Sequence, residues 1–238
     1  MDLHVSPSPD DTAQSCAAHL LEGLAQAIDS RDIARIALAG GRTPRMLYHH
    51  LVQAHRDALD WSRVEFYFGD ERIVPLDHPE SNFRMAQESL FSGLGVHNHQ
   101  LFPMISGERH DPQQEADRYE SLLRRWASQR VPQLDIALLG MGSDGHFASL
   151  FPGTPALDET DRLVVVNPVE KLHGSRLTMT FPMFLAARSV MFLVTGQDKA
   201  PALRAVLAGD SALPAGQLMN QRDADWFVDE AAMSAEGP

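Results

Sequence analysis

The residues with the clearest capacity for chemistry lie between Leu138 and Gly153, in the run LLGMGSDGHFASLFPG. The apolar stretch Ile136-Ala137-Leu138-Leu139 reads as a short buried strand. It breaks into Gly140, Gly142 and Gly145 around Asp144 and His146. A strand that ends in a glycine-rich turn delivers its next side chains to the carboxyl edge of a sheet, where α/β proteins keep their ligands. An imidazole ordinarily titrates at about pH 6.5, so a histidine placed there beside an aspartate is suited to act as a general base. Taken alone, the motif fits equally well a left-handed turn whose aspartate caps a helix and whose histidine is merely exposed.

Three other turns share this arrangement. Ala37 to Pro44 reads as strand, tight turn and helix start. Gly40 and Gly41 let the backbone approach an anion, and Arg42 and Thr43 add side-chain donors at a helix N-terminus. The run lacks the Gly-Lys-Ser/Thr end of a P-loop and is not G-x-G-x-x-G, so it speaks for neither ATP nor NAD. Thr195-Gly196-Gln197-Asp198-Lys199 repeats the pattern, with Lys199 able to reach back over a strand end as a point charge. Gly69-Asp70-Glu71-Arg72 closes a fourth strand with two acids and an arginine, whose planar fork suits a carboxylate, a phosphate or a developing oxyanion. A salt-bridged surface turn is the alternative for that triplet. The pairs His49-His50 and His97/His99 come with no acid or cysteine at zinc spacing and read as surface residues; no metal site is expected.

The elements that must position these turns follow from apolar periodicity. Helices are expected over Asp10–Asp29, from Thr43 (as N-cap, with Pro44 first in the helix), over Ser81–Phe91, Pro112–Gln129 and Lys199–Leu207. Strands are expected at Ile33–Ala39, Val64–Phe68, Leu134–Leu139, Leu163–Val166, Arg176–Thr180 and Val190–Val194, with Asp161–Gly174 and Gly209–Gln217 otherwise forming surface loops. Strands alternating with helices imply an α/β fold: three layers, a mostly parallel, Rossmann-like sheet with helices on both faces. No linker or repeat divides the chain, so one domain over residues 1–238 is expected.

A chain of 238 residues, 44% hydrophobic and 22% charged, can bury a substantial core without metal or disulfides. Its single cysteine, Cys16, fits a reducing compartment and reads as a helix-face thiol. The N-terminus carries no secretory pattern and no run of eighteen apolar residues occurs, so a cytoplasmic protein with no membrane partner is expected. A net charge of −12 argues against nucleic acid and requires any anion site to be a local cluster of arginines, lysines and backbone amides.

Together the four turns resemble the 6-phosphogluconolactonase family. The likeness rests on Ala39-Gly-Gly-Arg-Thr-Pro44, on Phe68-Gly-Asp-Glu-Arg72 with Val74-Pro75 and His78…Ser81-Asn82, and on Leu139 to His146 with Ala148-Ser-Leu-Phe-Pro-Gly153. It extends to Arg176-Leu-Thr-Met-Thr180, to Gly196 with Lys199, and to Trp226–Glu230 as a closing strand. Two positions depart from the usual pattern: Arg42 stands where many members have serine, and Phe147 where many have threonine. The resemblance implies hydrolysis of 6-phospho-D-glucono-1,5-lactone without a cofactor. His146 would be the base, Asp144 or Asp70 would orient it, and Arg72 would face the oxyanion. Gly40, Gly41, Arg42, Thr43, Lys199 and Arg176 would hold the phosphate. The partner is then a small sugar-phosphate lactone, and a monomer is expected, a dimer being the alternative. The related glucosamine-6-phosphate deaminases share an Asp-Gly-His turn but continue differently after it. A non-enzymatic sugar-phosphate sensor on the same fold is a third reading.

Overall fold

The computed structural model describes residues 1–106, 111–127, 129–170 and 174–234. The frame is a six-stranded, wholly parallel sheet. In spatial order it contains β1 (Leu3–Ser6), β9 (Asp225–Asp229), β8 (Ser189–Val194), β5 (Ile136–Leu139), β2 (Ala34–Leu38) and β3 (Val64–Phe68). The chain runs outward from β2 to β3, then returns to the other side of β2 with β5 and proceeds through β8 to β9. The order of strands therefore reverses between β2 and β5, the place where open α/β sheets leave a crevice at their carboxyl ends.

The sequence of these strands explains their burial. All four residues of β5 are buried, as are the last five of β8, so the runs are continuously apolar rather than alternating. Trp226 of β9 stacks on Phe192 of β8 with ring centroids 4.1 Å apart. The long helix α1 (Pro9–Arg31) contacts β2, β8 and β9 and buries Cys16, whose thiol is pushed up by that burial and behaves as a core atom. Its N-cap is Ser8, whose hydroxyl accepts the Asp11 N–H.

Three further strands form a separate antiparallel sheet in the order β4 (Asp70–Arg72), β7 (Gly174–Met179) and β6 (Val164–Val169). The expected strands at 163–166 and 176–180 thus exist but do not join the parallel sheet. The charged triplet after β3 is itself a strand rather than a turn. Glu71 makes this possible. Although 1% exposed, its carboxylate accepts the backbone N–H groups of Arg72, Asn82 and Phe83 at 2.7–2.9 Å, with the Ser81 hydroxyl at 3.2 Å. It thereby caps α3 (Asn82–Ala86), which continues through a π-turn at Gln87–Phe91 into α4 (Ser92–Leu94), with Ser81 as N-cap. Burial raises the Glu71 pKa, against the pull of the three N–H donors.

Other expectations are corrected locally. Helix α2 (Arg42–Ala54) is capped by Gly41 at φ 105°, not by Thr43, and Pro44 is third in the helix. The Thr43 hydroxyl is instead 2.9 Å from that of Thr195, which ties two site turns together. Helix α5 (Pro112–Arg124) ends before the predicted Gln129; residue 128 lies outside the described residues. After α6 (Phe181–Ala186) and α7 (Ala200–Leu207), part of the expected loop at Gly209–Gln217 is helical as α8 (Pro214–Met219). In the other expected loop, β6 and Gly174 of β7 are extended, and 171–173 lie outside the described residues. Among the described residues, no helix is long and apolar enough to cross a membrane.

Candidate active site

A cleft of about 790 Å³ opens at the carboxyl ends of β2, β5 and β8, and all ten residues singled out from the sequence line it: Gly40, Gly41, Arg42, Thr43, Asp70, Arg72, Asp144, His146, Arg176 and Lys199. They come from two sources. The parallel sheet supplies three glycine turns, and the small antiparallel sheet supplies one wall.

On the parallel side, the turn after β5 folds so that Asp144 Oδ1 bonds His146 Nδ1. Gly142 N–H donates to the His146 carbonyl at 2.8 Å, and Gly145 N–H donates to that of Gly142 at 3.0 Å. Gly142 has to be glycine: a Cβ there would overlap His146 Nδ1 and Cε1. Since Asp144 accepts from Nδ1, the proton of the neutral ring sits on Nδ1 and the lone pair on Nε2. The histidine side chain is 26% exposed, and its ring stacks on Phe151 with centroids 4.0 Å apart.

Across the reversal point, the turn after β2 is fixed from behind by Tyr48. This fully buried residue of α2 donates to the Ala39 carbonyl and accepts the Ala39 N–H. Gly41 at φ 105° needs glycine for its backbone. Gly40 is constrained otherwise, because a Cβ on it would overlap the Asn82 side-chain amide. Arg42, exposed, opens α2 at the rim. Beyond β8, Gly196 N–H donates to both carboxylate oxygens of Asp229, and Lys199 Nζ lies 3.0 Å from Asp198.

On the wall from the small sheet, Arg72 of β4 stands directly opposite Arg176 of β7, and Arg176 opposite Asn167 of β6. The Arg72 guanidinium donates to the Glu80 carbonyl at 2.5 Å. Burial, with Arg72 beside it, holds the Arg176 pKa below the usual guanidinium range. Arg72 and Arg176 thus set two like charges side by side on the small sheet, an unfavourable opposition that Asp70, Glu71 and Glu80 partly offset. Asp70 does not reach the histidine. Its carboxylate accepts from Ser149 Oγ at 2.6 Å and from the Asn82 amide at 3.3 Å.

A model of the family described as glucosamine-6-phosphate isomerases/6-phosphogluconolactonase matches residues 7–227. The chain belongs to this family. Among its relatives, the 6-phosphogluconolactonase of Synechocystis is 40% identical over 215 residues, covering 88% of this chain and 87% of the relative. That of Nostoc is 37% identical over 98% of each. Among solved structures, the 6-phosphogluconolactonase of Trypanosoma brucei superposes with a TM-score of 0.85 at 29% identity, covering 97% of each chain. A monomeric glucosamine-6-phosphate deaminase superposes with a TM-score of 0.84 at 24% identity, covering 99% of this chain and 100% of its own, and shares the fold.

Within this family frame the two departures have different surroundings. Phe147 is fully buried, edge-on to Phe181, Phe184 and Phe192, so it affects packing behind the site. Arg42 lines the cleft itself. Sequence reasoning assigned no role to Asn82, Ser149, Phe151 or Thr195, which hold the site residues in place. Each acts across a distance of five to more than a hundred residues, and no spacing rule reports such contacts. Among the described residues, no three His, Cys, Asp or Glu side chains converge to hold a metal ion.

Proposed function

We propose that the protein hydrolyses 6-phospho-D-glucono-1,5-lactone to 6-phosphogluconate, with His146 as general base. The observation that carries the reading is the Asp144–His146 pair, set in a cleft that is also lined by the glycine turns after β2 and β8, by Arg42, Arg72, Arg176 and Lys199, and by Asp70 and Asp198. Membership of the 6-phosphogluconolactonase family supports the substrate.

His146 Nε2 takes a proton from water as its oxygen adds to the lactone carbonyl carbon. Asp144, on Nδ1, holds the ring and stabilises the imidazolium that forms, as the acid does in triads. Arg72 faces the carbonyl oxygen as it becomes an oxyanion. The tetrahedral intermediate collapses with cleavage of the bond from C1 to the ring oxygen. That oxygen receives the proton from the imidazolium, which restores the base. Gly40, Gly41, Arg42, Thr43, Lys199 and Arg176 bind the phosphate, remote from the reacting carbon, and set affinity and register. Asp70, engaged by Ser149 and Asn82, shapes the wall and does not orient the base.

Freshly made lactone opens spontaneously, so the test is acceleration over that background, followed by coupled oxidation of the 6-phosphogluconate formed. Glucosamine 6-phosphate is offered in parallel and ammonia is measured. Acceleration without ammonia is expected. Ammonia release would instead identify a deaminase, and tight sugar-phosphate binding with neither reaction a sensor.

A further inference from the structure

The His146 imidazole is held on three sides, and one holder has no part in the chemistry above. Asp144 takes Nδ1, and Gly142 lies so close to the Nδ1–Cε1 edge that a methyl group there would overlap it. The third is Phe151. Its ring lies over the imidazole with planes inclined by 29°, and it is 5% exposed although it lines the cleft. To bring residue 151 back over residue 146 the chain must double on itself. Ala148 takes φ 46°, a left-handed conformation uncommon for a residue other than glycine, and Leu150 N–H closes onto the Phe147 carbonyl at 2.9 Å. The small sheet fastens this loop. Ser149 N–H donates to Thr178 Oγ1 at 3.3 Å, and the Asn167 amide donates to the Ser149 carbonyl at 2.8 Å and to Thr154 Oγ1 at 3.0 Å. Backbone strain persists only where surrounding contacts over-determine it, as they do here.

We infer that Phe151 is a positioning residue for the base: it fixes the plane of the His146 ring so that Nε2 points at the attacking water. The inference rests on the lactonase reading. Rotation of an imidazole about its Cβ–Cγ bond is only broadly constrained, and one hydrogen bond at Nδ1 lets the ring rock about that contact. The Nε2 lone pair lies in the ring plane, so rocking swings it off the water. A flat apolar surface against one face, with Gly142 packed at the edge, removes that freedom and keeps water off that face.

The test compares Phe151→Ala, Phe151→Leu and Phe151→Tyr, in the native sequence and with His146→Ala, each checked for folding by its thermal melt. Phe151→Ala should lower kcat about tenfold to a hundredfold, the scale of a misplaced catalytic group, with KM changed less than about threefold. Leucine should fall between, and tyrosine, which keeps a ring, should restore most of the rate. Combined with His146→Ala, Phe151→Ala should cost nothing further, since it acts through the base. An unchanged kcat, a loss confined to KM, or the same loss without His146 would overturn the inference. The His146 ring signals in proton–nitrogen NMR spectra of the free protein give a second readout. Stacking should displace its ring protons upfield, and Phe151→Leu should abolish that displacement and broaden the Nδ1 proton. Ring signals indifferent to Phe151→Leu would overturn the inference even if the chain opened no lactone, whereas failure of the wild-type lactone assay alone would refute the reading on which it rests.

Discussion

The two sheets contribute to one cleft by different physical means. In the parallel sheet, buried strands stop together at one edge, and what they present is mostly backbone: Gly40, Gly41, Gly142 and Gly196, with His146 and Lys199 set by the turns that carry them. In the small sheet, register does the placing. Arg72, Arg176 and Asn167 occupy one row across β4, β7 and β6, and Asp70, Thr178 and Val165 the next row but one, on the same face. On the proposed roles, the first region supplies a base and amide donors whose positions depend on glycine. The second supplies Arg72 and Arg176 and the anchors of the loop bearing Phe151. On the same proposed roles, the base and most of the phosphate contacts sit at the ends of the parallel strands, while Arg72 and Arg176 sit on a sheet that is marginal by itself and leans on its neighbours.

The sharpest way to break this division is to remove the base. His146→Ala should lower kcat about 10²–10⁴-fold with little change in melting temperature, as positioned general-base catalysis is worth that much. Near-full turnover would mean that the parallel sheet supplies no base. Asp144→Asn should cost less, because the imidazole keeps a partner at Nδ1 but loses the charge that favours the imidazolium. Asp70→Asn should leave the shape of the rate–pH curve unchanged, and a change there equal to that of Asp144→Asn would reassign the orienting acid.

Gly142→Ala ranks next. The added methyl would overlap His146 Nδ1 and Cε1, so the histidine has to leave its place. A loss of about 10²-fold in kcat is expected for a displacement near 1 Å, and a crystal structure of the variant should show the Asp144 contact broken. Gly40→Ala offers the matching perturbation on the other side of the reversal point. There the methyl pushes on Asn82 and through it on Asp70, so the larger share of the loss should appear in KM.

The phosphate contacts of the two regions, Lys199 beyond β8 and Arg176 of β7, can be tested by substrate choice. Lys199→Ala and Arg176→Met should each raise KM for the phosphorylated lactone about tenfold or more, the loss of one charge-assisted contact being about 1.5–3 kcal/mol, and should affect unphosphorylated gluconolactone far less. Equal losses on both substrates would remove these residues from the phosphate site. Arg176→Met should in addition raise the stability of the free protein slightly, by up to about 1 kcal/mol, because it ends the opposition of two guanidiniums across β4 and β7. Lys199→Ala, which only leaves Asp198 without its ion pair, should not.

How much of this was legible follows the same division. The strand Val64–Phe68, the three glycine turns and the ten residues singled out in the cleft could be read, because a parallel strand is a continuous apolar run and its end is marked by glycine or charge. The small sheet could be read only in part: strands at 163–166 and 176–180 were expected, but not their separate pairing with β4. Its first strand, Asp70-Glu71-Arg72, has no apolar residue, and its buried position is a carboxylate satisfied by a helix start eleven residues on. Strand β1 is four residues long with Leu3 and Val5 exposed, too short to show a period. Helix α8 was hidden by Pro214 and Gly216, whose glycine admits the Asp210 carbonyl. Asn82 and Asn167 are single polar residues whose roles exist only through long-range contacts.

The smallest expected effect concerns what couples the two regions. Glu120 of α5 accepts from Arg124 and Arg162 and from the backbone N–H groups of Leu163 and Val164, where β6 begins. Burial pushes its pKa up, but those donors win and hold it below the usual carboxylate range; Glu115, bonded to Ser106 and Arg118, behaves alike. A depressed folded-state pKa contributes stability that is present above the unfolded value, about 4.3 for glutamate, and is lost as pH falls through the folded one. Glu71 has the opposite sign. Its raised pKa gives a contribution present below the unfolded value and lost as pH rises through the folded one, so acidification relieves it. Acid should therefore loosen the attachment of β6 to α5 while leaving the Glu71 cap of α3 intact. Hydrogen exchange at pH 3 against pH 7 should show protection falling at Leu163 and Val164 ahead of β5 and β8. Glu120→Gln should reproduce that pattern at pH 7, at a cost on the order of 1 kcal/mol in global stability, the usual net worth of a lost hydrogen bond. If both sheets lose protection together, the small sheet is not an independently loosened unit, and the division drawn between the two regions fails at the level of stability even where it holds for chemistry.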